Sequence, residues 1–332
     1  MEVAILYSLP THRGQISDFL VTDTDTEASA KKIADALGKS ITTRLYPIAE
    51  NSIHTIRNIH ADVFLDLIEW DGLDLPLSLK ALDEMEATGI PYTGAAKQTY
   101  HVTTDKLLMK KAFDRFHLPT AIWQPFYTGE EKIETDFHYP VIVKLSQTHC
   151  SVGLDANAIV FDEESLKNRV CERIQTFNQP VIAEEFIDGH EFQVTMLERK
   201  SGLEMLPVAE IFFEDTDKNK FLTFSSRWTA GTDDYKKSHI RMATFDAELT
   251  KQMDNICTRA FQELKFRDYA RFDMRISDYP KTNTLYFLET NSNPGLDDND
   301  AYGLTLSFKA AGMTFRDFLL EIIDSSMRRW KH

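Results

Sequence analysis

The pattern of apolar and polar positions is sharpest over residues 271–296, RFDMRISDYPKTNTLYFLETNSNPGL. It predicts two strands joined by a turn containing Pro280 and Asn283. On the first strand, alternation puts Ala270, Phe272, Met274 and Ile276 on one face and Arg271, Asp273 and Arg275 on the other. On the second, Phe287, Glu289 and Asn291 share a face. In ordinary register this hairpin gathers two carboxylates, a carboxamide and a guanidinium over an apolar floor. Such hard oxygen ligands suit Mg2+, which keeps waters and binds together with substrate phosphates. A solvated sheet face with one salt bridge would alternate in the same way. The tight turn NSNPG (291–295) directly after the polar cluster favours a binding loop.

Along the rest of the chain, strands at 3–7, 44–48 and 63–68 alternate with helices, and a short strand follows at 89–94. The first helix has a Thr24/Glu27 capping box, a stripe of Ala30, Ile33, Ala34 and Leu37, and Gly38 as its stop. A second helix covers 77–87. This predicts an open α/β unit over about the first hundred residues. Ligands of such folds gather at the carboxyl ends of strands, here near Thr11, His12 and Arg13 or near Glu69 and Asp71.

A second unit begins near His101. Thr103 or Thr104 is expected to cap a helix with the stripe Leu107, Leu108, Ala112, Phe113 and Phe116, which Pro119 ends. Lys106 falls in its first turn, where the helix dipole disfavours a cation; an anionic ligand would account for it, as would a lysine snorkelling over the stripe. The strand 139–145 is apolar on both faces and ends at Lys144. An unpaired ammonium there is costly, so Lys144 is expected to meet an anion in a cleft. The next loop, SQTHCSVG (146–153), carries Cys150 and Ser151 and could fold backbone N–H groups over a phosphate. Residues 180–197 read as two strands broken at Asp188 and Gly189, with Glu184 and Glu191 on either side. Between them, 185–187 could read an adenine through one N–H and one C=O, with Glu191 in reach of ribose hydroxyls.

Residues 214–239 are polar and irregular yet hold Phe221, Phe224 and Trp228. A long structureless stretch of this kind is expected to be a lid that closes and dries the site. The stripe of the helix at 247–266 puts Cys257 in the core, and 314–330 reads as a packing helix. Its Arg328 and Arg329 suit a helix C-terminus without a further role.

Length and composition narrow the function classes. The chain has 332 residues, is 42% hydrophobic and carries a formal charge of -15, so two or three domains are expected. An acidic chain without a basic run is a poor nucleic-acid binder. No apolar segment is long enough for a membrane helix. The start, MEVAILYSLP, reads as a strand and not a signal peptide. Cysteines at 150, 171 and 257, without a CxxC, suit a reducing, cytoplasmic setting and argue against structural zinc.

Six segments together resemble the ATP-grasp superfamily and, within it, the D-alanine–D-alanine ligase family. They are TTDKLLMKKAF (103–113), YPVIVKL (139–145), CSVG (150–153), VIAEEFIDGHEFQV (181–194), ARFDMRI (270–276) and LETNSNPGL (288–296). GIPYTGA (89–95) and KAAGMTF (309–315) extend the likeness over nearly the whole chain. The resemblance implies an ATP-grasp fold of α/β and α+β parts. Its expected divisions are an N-terminal open α/β substrate domain (1–98), a central subdomain (99–186) and a C-terminal subdomain with the metal site (187–332). It also implies ATP with Mg2+, or Mn2+ in its place, and ligation of a carboxylate to an amine through an acylphosphate. The partners implied are a small amino acid or related carboxylate and an amine, with a homodimer as the assembly. Carried over by residue, Lys106 and Lys144 look like phosphate contacts, Glu184 and Ile187 like adenine contacts, and Glu191 like the ribose contact. Asp273, Glu289 and Asn291 look like Mg2+ ligands, and Arg271 like the cation over the acylphosphate. Ser151 and Phe287 join the expected nucleotide contacts, and Arg227 is expected to point at the phosphates.

The resemblance departs from the family in the substrate pocket. The stretch YSLPTHRGQISD lacks the family's glycine-rich loop ending in a glutamate. The phosphate-loop serine falls at Cys150, the lid tyrosine at Trp228, and the histidine after the third strand at Glu69 or a neighbour. The Ser-Leu pair falls near Tyr302 and Gly303. Asn293 and Gly295 complete the expected substrate residues. These departures suggest substrates other than two D-alanines. The alternatives are a true D-alanine–D-alanine ligase with a divergent pocket and a non-catalytic nucleotide-binding protein on the same scaffold. Substitution at Arg275, farther along the strand, is expected to be milder than at Asp273 or Glu289.

Overall fold

In the first sheet, β1 (Glu2–Ser8) runs parallel to β2 (Thr42–Ile48) on one side and β3 (Val63–Leu67) on the other. The structure is a computed structural model and describes residues 1–11, 25–70, 72–149, 151–213, 221–229, 238–277, 279 and 281–330. A parallel strand buried on both sides needs cover on both faces, and β1 has it. Val3, Ile5 and Tyr7 pack with Ala30, Ile33 and Leu37 of helix α1 (Asp25–Leu37). Ala4 and Leu6 pack with Ile53 and Ile56 of a 3-10 helix (Glu50–Asn58) and with Leu82 and Met85 of α2 (Leu75–Thr88). The strand expected at 89–94 shrinks to a single bridge between Phe64 and Tyr92. The capping residue expected for α1, Thr24, lies outside the described residues, as do His12, Arg13 and Asp71.

Helix α3 (Lys97–Thr104) and helix α4 (Lys106–Arg115) follow one another around Asp105. Asp105 caps α4, not Thr103 or Thr104: its carboxylate accepts from the N–H groups of Leu107 (2.8 Å) and Leu108 (3.2 Å). The Thr103 hydroxyl is engaged elsewhere, with the carbonyl of Thr99 and the hydroxyl of Ser292.

The second sheet is antiparallel, in the order β4 (Trp123–Phe126), β7 (Val181–Glu185), β5 (Val141–Leu145) and β6 (Ile159–Val160). Helix α5 (Glu163–Phe177) covers it through Leu166, Val170 and Phe177, and Asp162 caps that helix by accepting from the Ser165 N–H. In the third sheet the order is β11 (Ser238–Met242), β10 (Ala209–Phe213), β8 (His190–Arg199), β12 (Tyr269–Ser277) and β13 (Thr284–Asn291). The short β9 (Gly202–Met205) pairs separately with β8. A single strand is expected over 205–213, but Pro207, which has no N–H to offer a ladder, lies between β9 and β10. Helix α6 (Phe224–Trp228) is short, and helix α7 (Ala247–Glu263) lays Leu249, Met253, Cys257 and Ala260 against Phe272 and Met274. Cys257 is fully buried there, as its place on the stripe predicts.

The last helices close the molecule. Helix α8 is Gly303–Ala310 and α9 is Phe315–Trp330. Phe318, Leu319 and Ile322 of α9 share a core with Val3 and Ile5, so the end of the chain covers the first sheet. Arg329 is more than a helix-end cation: it pairs with the fully buried Asp268 and donates to the Tyr92 carbonyl at 2.9 Å. Asp268 also accepts from the Gly94 N–H at 2.8 Å, which ties first and last parts of the chain together.

Candidate active site

Strands β12 and β13 set Arg271 opposite Asn291 and Asp273 opposite Glu289, after which the register slips so that Met274 faces Phe287. The slip is a β-bulge, in which one strand carries an extra residue, here Leu288. Phe287 consequently turns into the core and is fully buried, with ring centroids 5.6 Å from both Phe113 and Phe272. Leu288 lines the cleft in its place. The expected nucleotide contact at Phe287 is therefore corrected: strict alternation fails by one residue at the bulge, and burial of the ring, worth about 2 kcal/mol, holds it inside.

The cleft lies between the second and third sheets, and the space in it, with the solvent at its open mouth included, is about 850 Å3. Of the residues named from sequence, Lys106, Lys144, Ser151, Glu184, Ile187, Glu191, Asp273 and Glu289 all line it. Arg271 and Asn291 reach it through Asp273. The Arg271 guanidinium forks onto both Asp273 oxygens at 2.7 and 2.8 Å, and Asn291 Nδ2 donates to the same carboxylate at 3.3 Å. Lys106 Nζ donates to the Thr148 carbonyl and stands 3.7 Å from Glu289. Ser151 adopts a positive φ of 61° in the loop above.

Electrostatics distinguish the two facing carboxylates. Burial, with Arg271 opposing it and Glu289 adding to it, holds Asp273 above its ordinary range. Burial acts on Glu289 too, but Lys106, His149 and Lys144 outweigh it and hold that group well below its ordinary range. Among the described residues no three His, Cys, Asp or Glu side chains cluster as a self-contained metal cage. Two carboxylates and a carboxamide beside two lysines are instead the donor set of a hard cation that completes its shell with water and phosphate. The residues present therefore fit Mg2+. Such an ion would compete with the Arg271 fork for Asp273.

The cleft also holds a triad that the sequence pattern missed in part. Glu184 is buried between Lys144, which meets one of its oxygens, and Lys110, which meets the other. Lys144 does meet an anion, as expected, and that anion is Glu184. Burial would raise the Glu184 carboxyl, yet Lys110 and Lys144 bring it down to about 2. Lys110 is only 1% exposed and also donates to Thr120, whose hydroxyl donates to the Phe287 carbonyl. Its signal in the sequence was a cation one turn after Lys106, on the side of α4 that carries the core residue Phe113. His149 and Gln193 also line the cleft without having been singled out.

The residues expected to hold substrate stand apart from these lining groups. Glu69 is exposed beyond β3, its backbone bonded in both directions to the Ser8 hydroxyl at 3.1 Å. Asn293 Oδ1 accepts from the Ala95 N–H at 2.9 Å and packs so closely on Gly94 that a Cβ there would collide with it. Gly295 is exposed, and Tyr302 is the N-cap residue of α8. Cys150 lies outside the described residues, as do the side chains of Arg227 and Trp228 and most of 214–239. In the described part of that stretch, Phe221 is buried against Phe186, and the Phe224 N–H donates to the Leu154 carbonyl at 2.9 Å.

Known proteins are similar to this chain in sequence and in fold. The family described as D-ala D-ala ligase C-terminus matches residues 114–324, more than half of the chain. The D-alanine–D-alanine ligase of Geotalea uraniireducens is 29% identical over 243 residues, covering 72% of this chain and 71% of that protein. The D-alanine–D-alanine ligase of Aquifex aeolicus is 28% identical over 240 residues, covering 72% and 75%. Among solved structures, the Bacillus anthracis D-alanine–D-alanine ligase complexed with ATP superposes with a TM-score of 0.72 at 20% identity, covering 100% of this chain and 99% of that one. The VanG D-Ala:D-Ser ligase of Enterococcus faecalis gives 0.73 at 17% identity, covering 98% and 99%. Fold, cleft and family match agree, and the chain belongs to the D-alanine–D-alanine ligase family as a divergent member of the ATP-grasp ligases.

Proposed function

We propose that this protein is a D-alanine–D-alanine ligase with a divergent substrate pocket. The observation that carries the reading is the Asp273–Glu289 pair facing across the hairpin beside Lys106 and Lys144, in a chain several of whose curated relatives bear that name. The γ-phosphate of ATP passes to the carboxylate of the first amino acid and leaves ADP. The amine of the second attacks the acylphosphate, loses a proton to solvent, and phosphate departs from the tetrahedral intermediate. Lys106 and Lys144 neutralise the phosphates, Glu184 and the Ile187 backbone take the base, and Glu191 takes the sugar. Asp273, Glu289 and Asn291 would hold Mg2+, which when bound supplies charge neutralisation along the triphosphate. Most of the rate then comes from placement and charge compensation.

The departures at Cys150 and Trp228 that favoured other substrates fall on groups the structure does not describe. Tyr302, near the position where the resembled family places a serine, still favours a second reading in which the amine acceptor is not D-alanine. Measuring ADP release against a panel of amino acids, dipeptides and hydroxy acids separates the readings. Release with D-alanine alone is the expected result; release only with another pair would establish the second reading, and ATP binding without turnover on any carboxylate would overturn both.

Arg271 is proposed to act on charge that develops as the acylphosphate forms and breaks down. Arg271→Ala is expected to lower turnover about 100-fold, on the scale of a lost oxyanion-hole donor, with a far smaller change in ATP affinity. A binding titration that collapses as much as the rate would make Arg271 a nucleotide-positioning group.

A further inference from the structure

Residues 186–189 are the covalent link between β7 of the second sheet and β8 of the third, and so between the two walls of the cleft. They form no strand of their own. The Phe186 N–H donates to the Pro140 carbonyl at 2.9 Å on one side of the link, and Arg275, on β12 and 2% exposed, holds it from the third sheet. Its Nη1 donates to the Ile187 carbonyl at 2.6 Å. Its Nη2 and Nε donate to Glu191 Oε2 at 3.0 and 3.3 Å, directly across the β8–β12 ladder. Its guanidinium carbon lies 4.7 Å from the centre of the Phe186 ring. The link also runs close over β12, because a Cβ on Gly189, whose φ is +151°, would collide with the Ile276 carbonyl.

One guanidinium thus engages three successive parts of the nucleotide wall, and it does so from the strand that carries Arg271 and Asp273. Alternation places these three side chains on one face of β12, two residues apart, so the face runs from the phosphate end of the cleft to the sugar end. The bond from Arg275 also decides how residue 187 can read a base. Its carbonyl is committed to the guanidinium, while its N–H has no partner among the described residues.

We propose that Arg275 is a positioning residue for the nucleoside half of ATP. It fixes the 186–189 link and the Glu191 carboxylate in one arrangement, so that the base is met by the Ile187 N–H and the sugar hydroxyls by Glu191. The inference rests on the reading of this cleft as an ATP site. It revises the expectation that a substitution at Arg275 would be mild, because that expectation treated the residue as a distant member of a polar sheet face.

Calorimetric titration of the full-length protein tests it, with three probes each given with Mg2+: ATP, 3′-deoxy-ATP and inorganic tripolyphosphate. In the wild type, ATP is expected to bind more tightly than 3′-deoxy-ATP. Arg275→Met, which keeps bulk and removes charge, is expected to weaken ATP at least 10-fold, to bring 3′-deoxy-ATP and ATP to nearly equal affinity, and to leave tripolyphosphate within 2-fold of wild type. Arg275→Lys keeps a cation beside Glu191, so it does not leave a buried carboxylate without its counter-charge, but it lacks the planar fork that reaches both Glu191 and the Ile187 carbonyl. It is expected to show the same loss of ribose discrimination with tripolyphosphate binding unchanged, and it carries the test where Arg275→Met does not fold. A variant that weakens ATP and tripolyphosphate equally would make Arg275 a general structural residue and overturn the proposal. So would unchanged discrimination between the two nucleotides. A wild type that binds none of the three probes would overturn the ATP-site reading itself, and the inference with it.

Discussion

Asp273→Asn and Glu289→Gln are each expected to abolish Mg2+-dependent turnover while leaving a folded protein. The two carboxylates face each other across the hairpin, and each substitution exchanges an anionic oxygen for a weaker neutral donor where a hard cation and phosphates would meet. Asp273→Asn also breaks the fork from Arg271, and Glu289→Gln leaves Lys106 without the carboxylate 3.7 Å away. Folding should survive, because the apolar face of the same hairpin, with Phe272, Met274 and Phe287 in the core, is untouched. The check is ADP release across a Mg2+ titration, with thermal melts beside it. Near wild-type turnover by Glu289→Gln at limiting Mg2+ would remove that residue from the metal site.

Lys110→Met is expected to have the largest effect on stability. Removing one partner of a buried ion pair leaves the other charge uncompensated and typically costs about 3–5 kcal/mol. Here the group left behind is Glu184, 2% exposed and no longer held from both sides. The sign of the pH dependence follows from the depressed Glu184 carboxyl, which lies at about 2 in the folded protein against an ordinary value of 4.5. A depressed carboxyl contributes stability that is present above its unfolded value and is lost as the pH falls toward the folded one. The gap between wild type and Lys110→Met, measured by urea denaturation, should therefore be full near neutral pH and narrow as the pH falls below 4.5. Adding Glu184→Gln to Lys110→Met should restore part of the lost stability while weakening nucleotide binding. A double variant no more stable than Lys110→Met alone would show that the charge on Glu184 is not what Lys110 compensates.

Local pattern was enough to place strands that run over 141–145 and 181–185 and both strands of the hairpin, because alternation and propensity act over a few residues. It was enough to put Cys257 in a core, and to bring Asp273, Glu289, Asn291 and Arg271 onto one patch from strand parity and ligand hardness alone. Six short motifs in order were enough for the family, since phosphates and a hard cation restrict the residue types that can hold them. Other features depended on where distant segments meet. The bulge at Leu288, which moves Phe287 from the cleft to the core, follows from the pairing of β12 with β13 and the packing of Phe113 and Phe272 around that ring. Asp105 and not Thr103 caps α4 because the Thr103 hydroxyl is drawn to the Thr99 carbonyl and to Ser292, a residue of the hairpin's far end. Lys110, Arg275 and Arg329 each look like ordinary surface cations in the sequence, and each is committed to an acid far away in the chain: Glu184, Glu191 and Asp268. A buried charge is tolerated only beside its counter-charge, and only the tertiary structure decides which acid that will be.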